Sequence, residues 1–428
     1  MTQDKNFQLN NHKVLIAATG SIAAVKTPIL VSMLISSGAE VKCMISESAS
    51  QIVSPVSLAT LSRNHCYQDS DQWLRSQAKP LHIELSEWAD VIVIAPLSAT
   101  TLSKFVYGSG EGLIASTLLA FKGPVIAAAA MNTHMWENIS VKENWEKLER
   151  NENVSRLSPA SGLLACDQIG QGRMVNPELI CLAIESSLIH YEKCNKLEKD
   201  FSGKRFLISA GPTIEGIDPV RFISNRSSGI MGIAIAQAAK FRGANIDFVH
   251  GPMEVSPAFL EGLNTYPIKN SKDLEFELNN LQSSADFVVM AAAVTDMKKE
   301  HGEGRQKISK DKLPGVFAKD LVEVPDILKK MVSRKNSNQV FLGFAAVSGS
   351  KKDYESLGEQ KRIIKGCDFL MANPIDVVGQ GFGTNFNEGS LFGPNGLKHR
   401  FPTTRKIHLA HQILDVIVKF KGKLSKDY

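Results

Sequence analysis

The stretch SAGPTIEGIDPVRFISNRSSGIMG, residues 209–232, gathers more chemistry-bearing side chains than any other part of the chain. It leaves an apolar run at 206–208 that reads as a buried strand, and it ends where a helical pattern begins at Gly229. Between them, Asp218, Arg221, Asn225, Arg226, Ser227 and Ser228 sit on a polar connection. Connectors in α/β units need only about 2–6 residues. One this long and this rich in donors reads as a binding loop. Its last part places Asn225, two hydroxyls and the Gly229 backbone at a helix N-terminus, which suits an anion. A second strand ends in AAAVTDM, small residues followed by the carboxylate of Asp296. Small side chains there let a flat base or a ribose approach the backbone. The charged, glycine-punctuated segment 298–312 follows, with KISK at 307–310. By composition it is a solvated loop; directly after such a strand it also suits a mobile lysine lid over phosphates. Lys361 and Lys365, four apart, share one helix face. A free carboxylate forms an amide only after activation, which needs a carboxylate holder, phosphate donors and a cation. These segments contain all three.

The first half carries a different set. ATGSIAAVK puts Gly20 and Ser21 at a strand–helix junction, where free N–H groups and the helix dipole suit a phosphate monoester or simply form a tight turn. It is not GxGxxG, so a dinucleotide is not expected. His82, in PLHIELSEW, is placed just before a helix and ahead of a second hydroxyl-rich loop at 98–103. The apolar strand of AAAAMNTHMW delivers Asn132 to its carboxyl end, where an amide can hold a carboxylate or a flavin edge. Cys166 lies in ACDQIGQGRM, a glycine-punctuated loop. Most free cysteines are buried and inert; this placement suits an acid that moves in and out of a site.

These residues must be positioned by strands and helices that alternate along the chain. Strands are expected over 13–19, 40–45, 90–96 and 124–131, with helices over 22–36, 102–107 and 177–190. The charged segment YEKCNKLEKDFS, 191–202, reads as a linker. The pattern restarts with strands over 205–209, 245–250, 286–293, 340–345 and 368–372, a hairpin over 390–401 turning at Pro394-Asn395-Gly396, and a helix around 406–418. Strands apolar at every position and spaced by helices argue α/β architecture: two doubly wound, flavodoxin- or Rossmann-like parallel-sheet domains joined by a short linker. At 428 residues, two domains are the prior. A net charge of +5 gives no case for nucleic-acid or membrane binding. The polar start of the chain has no signal peptide, no apolar run reaches a membrane span, and the six cysteines show no metal or CxxC spacing, which together suit a cytoplasmic protein with reduced thiols.

The first-half motifs resemble the flavin-containing cysteine decarboxylases, and specifically the phosphopantothenoylcysteine decarboxylase family, over roughly 11–187. The resemblance implies FMN, with Gly20, Ser21 and Ser46 near its phosphate and Ser98 and Thr100 lining the flavin. It implies His82 as base, Asn132 as holder of the substrate carboxylate and Cys166 as proton donor. The chemistry accounts for the cofactor. Loss of CO2 from a cysteine carboxylate leaves charge on carbon with no carbonyl to absorb it. Oxidation of CH2–SH to a thioaldehyde supplies the sink, and reduction with a proton from Cys166 then restores the thiol. The family's PAMN motif reads Ala129-Ala130-Met131-Asn132, and its acidic pair near the flavin reads Glu111-Gly112.

The second half resembles the phosphopantothenate–cysteine ligase family over roughly 203–417, through IDPVR followed by SNRSSG and MG. That resemblance implies a CTP- and Mg2+-dependent ligase in which Asn225 stabilises an acyl-cytidylate and Lys307 acts on the phosphates. Asp296, Phe344, Lys361 and Lys365 would contact CTP. No residue is assigned to Mg2+, which the triphosphate would hold. The family's GFAAE reads Gly343-Phe344-Ala345-Ala346-Val347, the asparagine of its NPDI is Val324, and Ile230 stands where lysine is common. Together the halves imply a bifunctional enzyme of coenzyme A synthesis: flavin domain at 1–190, linker at 191–202, ligase domain at 203–428. The implied substrates are 4′-phosphopantothenate, cysteine and CTP. The implied assembly is a homo-oligomer, from trimers of the flavin domain and dimers of the ligase domain up to a dodecamer. A second reading is a flavin-binding regulatory or inhibitory protein that has lost part of its chemistry.

Overall fold

The structure, a computed structural model, describes residues 7–424 apart from 74–78, 166, 198, 349–350, 376, 378 and 382. Contacts divide the chain into two compact units, Met1–Lys199 and Asp200–Tyr428. In the first, β1 (Lys13–Ala18), β2 (Glu40–Ile45), β3 (Cys66–Tyr67), β4 (Val91–Leu97), β5 (Val125–Ala129) and β6 (Val154–Leu157) form one sheet in the order β3-β2-β1-β4-β5-β6. Every pairing in it is parallel. β4 and β5 are buried at every position, as a sheet covered by helices on both faces requires. The strand order reverses between β1 and β4, so a crevice opens at the carboxyl ends of those strands.

A short antiparallel hairpin follows, β7 (Ala160–Leu163) and β8 (Ile169–Arg173), within what reads in sequence as a loop. The helix expected over 22–36 is two pieces: a 3-10 turn, Ile22–Lys26, and an α-helix, Thr27–Ser36, with a proline in its first turn. Pro28 has no N–H to give, and a helix start is the place where that costs nothing. The helix Pro177–Cys194 runs past 190 into the segment expected as linker, ending at Asn195 in the left-handed conformation. The far end of that segment belongs to the second unit. Phe201 is buried against Phe206 and Phe287, and Asp200 pairs with Arg242.

The second unit repeats the plan. Its strands are β9 (Arg205–Ala210), β10 (Ile214–Gly216), β11 (Phe222–Ser224), β12 (Asn245–His250), β13 (Asn264–Pro267), β14 (Phe287–Met290), β15 (Met297–Lys299), β16 (Leu321–Glu323), β17 (Val340–Val347), β18 (Phe369–Pro374), β19 (Phe386–Phe392) and β20 (Lys398–Arg405). The main sheet runs β13-β12-β9-β14-β17-β18-β19-β20. Its first six strands are parallel and reverse order between β9 and β14, while β19 and β20 add on antiparallel. The hairpin turns at Pro394–Gly396, as its sequence predicts. β14 is half the length expected. After Met290 only an isolated bridge, Pro212 with Ala293, continues the pairing, and the rest of the small-residue run leaves the ladder.

Close packing of the helix Ile230–Phe241 on β9 depends on Gly232. A Cβ there would come within 2.5 Å of the Ala210 Cβ. Gly232→Val is therefore expected to destabilise the second unit by ~1–3 kcal/mol through overpacking. The four tryptophans, Trp73, Trp88, Trp136 and Trp145, all lie in the first unit. The variant should lower the urea midpoint seen by far-ultraviolet circular dichroism and leave the tryptophan fluorescence transition in place.

Candidate active sites

At the carboxyl ends of β9, β14, β17 and β18 lies a cleft of about 740 Å³. Its walls come from the ends of β14, β17 and β18 and from residues 225–232 at the start of the helix Ile230–Phe241, beside the reversal of strand order. Asn225, Asp296, Phe344, Lys361 and Lys365 all line it. The rim is stitched together by backbone groups. The Ala293 N–H donates to the Gly211 carbonyl at 2.9 Å, the Thr295 N–H to Thr213 Oγ1 at 3.1 Å, and Asn225 Nδ2 to the Val294 carbonyl at 2.8 Å. Asn225 is thus exposed yet fixed in direction. Asp296 is exposed at the rim, and its carbonyl accepts from the Val324 N–H at 2.8 Å. Val324 lines the cleft and is tied to Asp296 through its backbone N–H.

The two helix lysines differ in their partners. Lys361 Nζ reaches the Ala346 carbonyl at 3.5 Å, and Lys365 Nζ pairs with Asp326 at 3.0 Å. Burial pushes the Asp326 carboxyl up, but hydrogen bonds from the Lys329 N–H and Lys365 prevail and hold it below the usual range. Val347 is buried in the core with Leu370 and Phe392 and does not line the cleft. The valine in place of the family's glutamate therefore removes no cleft-lining group here.

Lys307 is not among the cleft-lining residues; it is exposed on its segment. The neighbouring residue explains where that segment is held. The Ile308 N–H donates to Asp218 Oδ2 at 3.1 Å, and Arg221 donates both to Asp218 and to the Ile308 carbonyl. Asp218 is buried, and the Arg221 guanidinium, helped by N–H groups of Val220, Ile308 and Arg221, holds its carboxyl well below the usual range against the burial. The loop 209–232 is accordingly two devices. Its β10–β11 hairpin clamps the lysine segment, and only 225–232 faces the cleft.

Among the cleft residues that escape a motif search, two are buried polar side chains. Lys406 and Asn387 line the cleft from the hairpin end of the sheet, 5% and 3% exposed. A sequence signal for Lys406 does exist: a lysine opening a long apolar helix runs against the helix dipole.

In the first unit the expected cofactor residues gather at one edge of the sheet. Gly20 and Ser21 follow β1, Ser46 follows β2, and Ser98 follows β4. Ser21, Ser46 and Ser98 each cap a helix or turn, accepting from the N–H groups of Ala23, Ala49 and Thr101. These hydroxyls and helix N-termini suit a phosphate. The β1–β4 spacing is fixed by Thr19, whose Oγ1 donates to the Pro96 carbonyl at 2.7 Å and accepts from the Ser98 N–H at 2.9 Å. Thr100 is exposed in the first turn of the helix Ala99–Tyr107. Asn132, after β5, caps the helix Thr133–Glu137, its Oδ1 accepting from the His134 N–H at 2.9 Å. His82 is the second residue of the helix Leu81–Trp88 rather than preceding it, because Pro80 serves as the cap. Glu111 pairs with Lys104 at 2.8 Å on the surface. The β7–β8 hairpin docks on the Asn132 loop: the Met131 N–H donates to the Gly172 carbonyl at 3.0 Å, and a Cβ on Gly172 would sit 2.3 Å from the Met131 oxygen. Cys166, between those two strands, lies outside the described residues.

Comparison with known proteins gives matches on both units. The Flavoprotein family matches residues 2–188, and the DNA/pantothenate metabolism flavoprotein C-terminal domain matches 201–420. The chain is 33% identical over 410 residues to the coenzyme A biosynthesis bifunctional protein CoaBC of Bacillus subtilis (strain 168), covering 96% of this chain and 97% of that one. It is 34% identical over 414 residues to the protein of the same name from Escherichia coli (strain K12), covering 96% and 97%. Among solved structures, the C-terminal domain of a coenzyme A biosynthesis bifunctional protein CoaBC is 29% identical, covers 53% of this chain and all of its own 100%, and has a TM-score of 0.43.

Proposed function

The chain belongs to the family of bifunctional coenzyme A biosynthesis proteins, and from that premise we propose how its own residues divide the work. It is an enzyme with a flavoprotein decarboxylase domain and a phosphopantothenate–cysteine ligase domain. We place the decarboxylase in the first unit, Met1–Lys199, and the ligase in the second, Asp200–Tyr428. The observation that carries the ligase assignment is the single cleft that brings Asn225, Asp296, Phe344, Lys361 and Lys365 together at the β9–β14 reversal.

In the ligase, a carboxylate oxygen of 4′-phosphopantothenate attacks the α-phosphorus of CTP and pyrophosphate leaves. The cysteine amine then attacks the acyl carbon, loses a proton, and CMP leaves. Asn225, held by its bond to the Val294 carbonyl, steadies the acyl-cytidylate. Asp296, Phe344, Lys361 and Lys365 hold the nucleotide. Lys307 moves from its clamped segment onto the phosphates, where a cation meets the developing charge. Mg2+, when bound, would neutralise charge on the triphosphate, and no residue of this chain is assigned to hold it.

In the decarboxylase, the residues at the carboxyl edge fit FMN, since three hydroxyl-capped helix starts converge there beside the exposed Gly20. Gly20, Ser21 and Ser46 hold its phosphate, and Ser98 and Thr100 line the ring. When bound, FMN supplies a two-electron oxidation and its reversal. His82 takes a proton, Asn132 grips the carboxylate that is lost, and Cys166 returns a proton. Ile22, Val25, Ile29 and Val56 are apolar and more than half exposed on the first unit, which suits a homo-oligomer built on that surface.

One mixture tests the assignment. The pure protein is incubated with CTP, Mg2+, cysteine and 4′-phosphopantothenate, and masses are followed over time. Expected are a yellow protein, release of pyrophosphate and CMP, and a cysteine adduct that then loses CO2. A colourless protein that forms neither product would overturn both assignments.

A further inference from the structure

Lys406 and Asn387 play no part in the assignment above, yet both are buried in the wall of the ligase cleft. They arise from the same end of the antiparallel hairpin. Asn387 pairs with Thr404 across β19 and β20, and the Lys406 N–H donates to the Asn385 carbonyl at 2.8 Å. Lys406 Nζ donates to the Gly381 carbonyl at 2.7 Å and forms no ion pair with any described residue. Burial alone pushes its pKa down to about 8, the mark of a cation with no anion beside it. Asn387 Oδ1 is a buried acceptor without a hydrogen-bond partner among the described residues. Native proteins seldom leave either defect unrepaired.

The two defects are complementary in one respect. Together they ask for a ligand that carries an anion and an N–H donor a short distance apart. Phosphates supply the anion without the donor, and pantothenate carries an amide N–H only two methylenes away from its carboxylate. Cytosine supplies a donor without the charge. An α-amino acid supplies both, on one carbon. Building on the ligase reading, we propose that Lys406 and Asn387 form the amino-acid subsite of the cleft, Lys406 taking the α-carboxylate of cysteine and Asn387 the α-amino group. The amine is thereby turned toward the acyl carbon by an acceptor that does not compete for its lone pair. The α-carboxylate also becomes a specificity element, distinguishing cysteine from a simple thiol amine.

The test uses the full-length enzyme and cysteamine, which has the amine and thiol of cysteine but no carboxylate. Loss of a charged hydrogen bond should raise the KM for cysteine in Lys406→Met by about tenfold or more. The KM for CTP should move by less than about twofold on the same scale. The wild-type preference for cysteine over cysteamine should shrink by the same factor as the cysteine KM rises. Asn387→Ala should weaken both amines alike, since both carry the amino group, and it serves if Lys406→Met does not fold. Direct calorimetric titration of cysteine into each protein reads the subsite without turnover. If the wild type binds cysteine through Lys406 but releases no pyrophosphate, the subsite stands and the ligase reading falls. An unchanged cysteine-to-cysteamine ratio in an active Lys406→Met enzyme overturns the subsite, as does a rise in KM for CTP in place of cysteine.

Discussion

Replacing Lys307 by alanine is expected to slow pyrophosphate release by roughly 100- to 1,000-fold, the usual effect of removing one donor to transition-state charge. Release of CO2 from preformed 4′-phosphopantothenoylcysteine should be unaffected. Lys307 is exposed and forms no ion pair with any described residue, so its removal should change stability by no more than about 0.5 kcal/mol. A loss of rate would therefore report on chemistry. The clamp gives a second arm. Asp218→Asn keeps the size of the side chain but removes the charge that Arg221 and the Ile308 N–H share. It should loosen the segment and cost part of the rate, with Lys307 itself intact. The sign of the pH effect follows from the lowered Asp218 pKa. The clamp is fully formed above the unfolded carboxylate value of ~3.9 and is lost only as pH falls through the lower folded value. Any pH dependence of ligation near neutrality must come from other groups. Stopped reactions quantified for pyrophosphate check these points, and an Asp218→Asn enzyme slower than Lys307→Ala would mean that the clamp does more than place the lysine.

Much of the fold was legible because the parallel strands are rich in apolar residues between turn and helix signals: 40–45 and 245–250 coincide with β2 and β12, although each carries charged or polar residues as well. β3, with two residues, has too little length to show any pattern. The hairpin β10–β11 was invisible for another reason. EGIDPVRFIS looks like a polar loop because Asp218 and Arg221 satisfy each other inside it, and a charge that is buried and paired is indistinguishable in sequence from one that is solvated. The cleft was legible where its walls are local motifs, at 225–232 and around Asp296, since small residues and hydroxyls after a strand have few other uses. Lys307 illustrates the limit of that logic. Its place after β14 in the sequence suggests the cleft, while the structure fastens its segment to the hairpin instead. Lys406 and Asn387 gain their meaning only from burial at the far end of the sheet, a tertiary property that no spacing rule encodes.

Asn132→Ala should abolish CO2 release while leaving ligation at the wild-type rate, and its structural role makes a second substitution necessary to interpret the loss. Asn132 Oδ1 caps the helix Thr133–Glu137, so alanine removes a cap as well as an amide. Losing a cap costs about 1 kcal/mol, a Tm shift of about 2–4 °C for a unit of this size. Trp136, within that helix, packs edge to face on Trp145 and makes fluorescence a local probe of the damage. Asn132→Asp separates the two roles. Its carboxylate can accept the same N–H and sits favourably at a helix start, so stability should return. It also sets a negative charge where the substrate carboxylate must lie, so CO2 release should remain at least 100-fold down, about the scale of losing one preorganised donor. The pair of variants therefore moves stability and activity independently. An active Asn132→Asp enzyme would reduce Asn132 to a helix cap and return the carboxylate to some other residue of the β4–β5 edge. A single substitution at Asn132 that stopped ligation without unfolding the chain would break the assignment of one reaction to each unit.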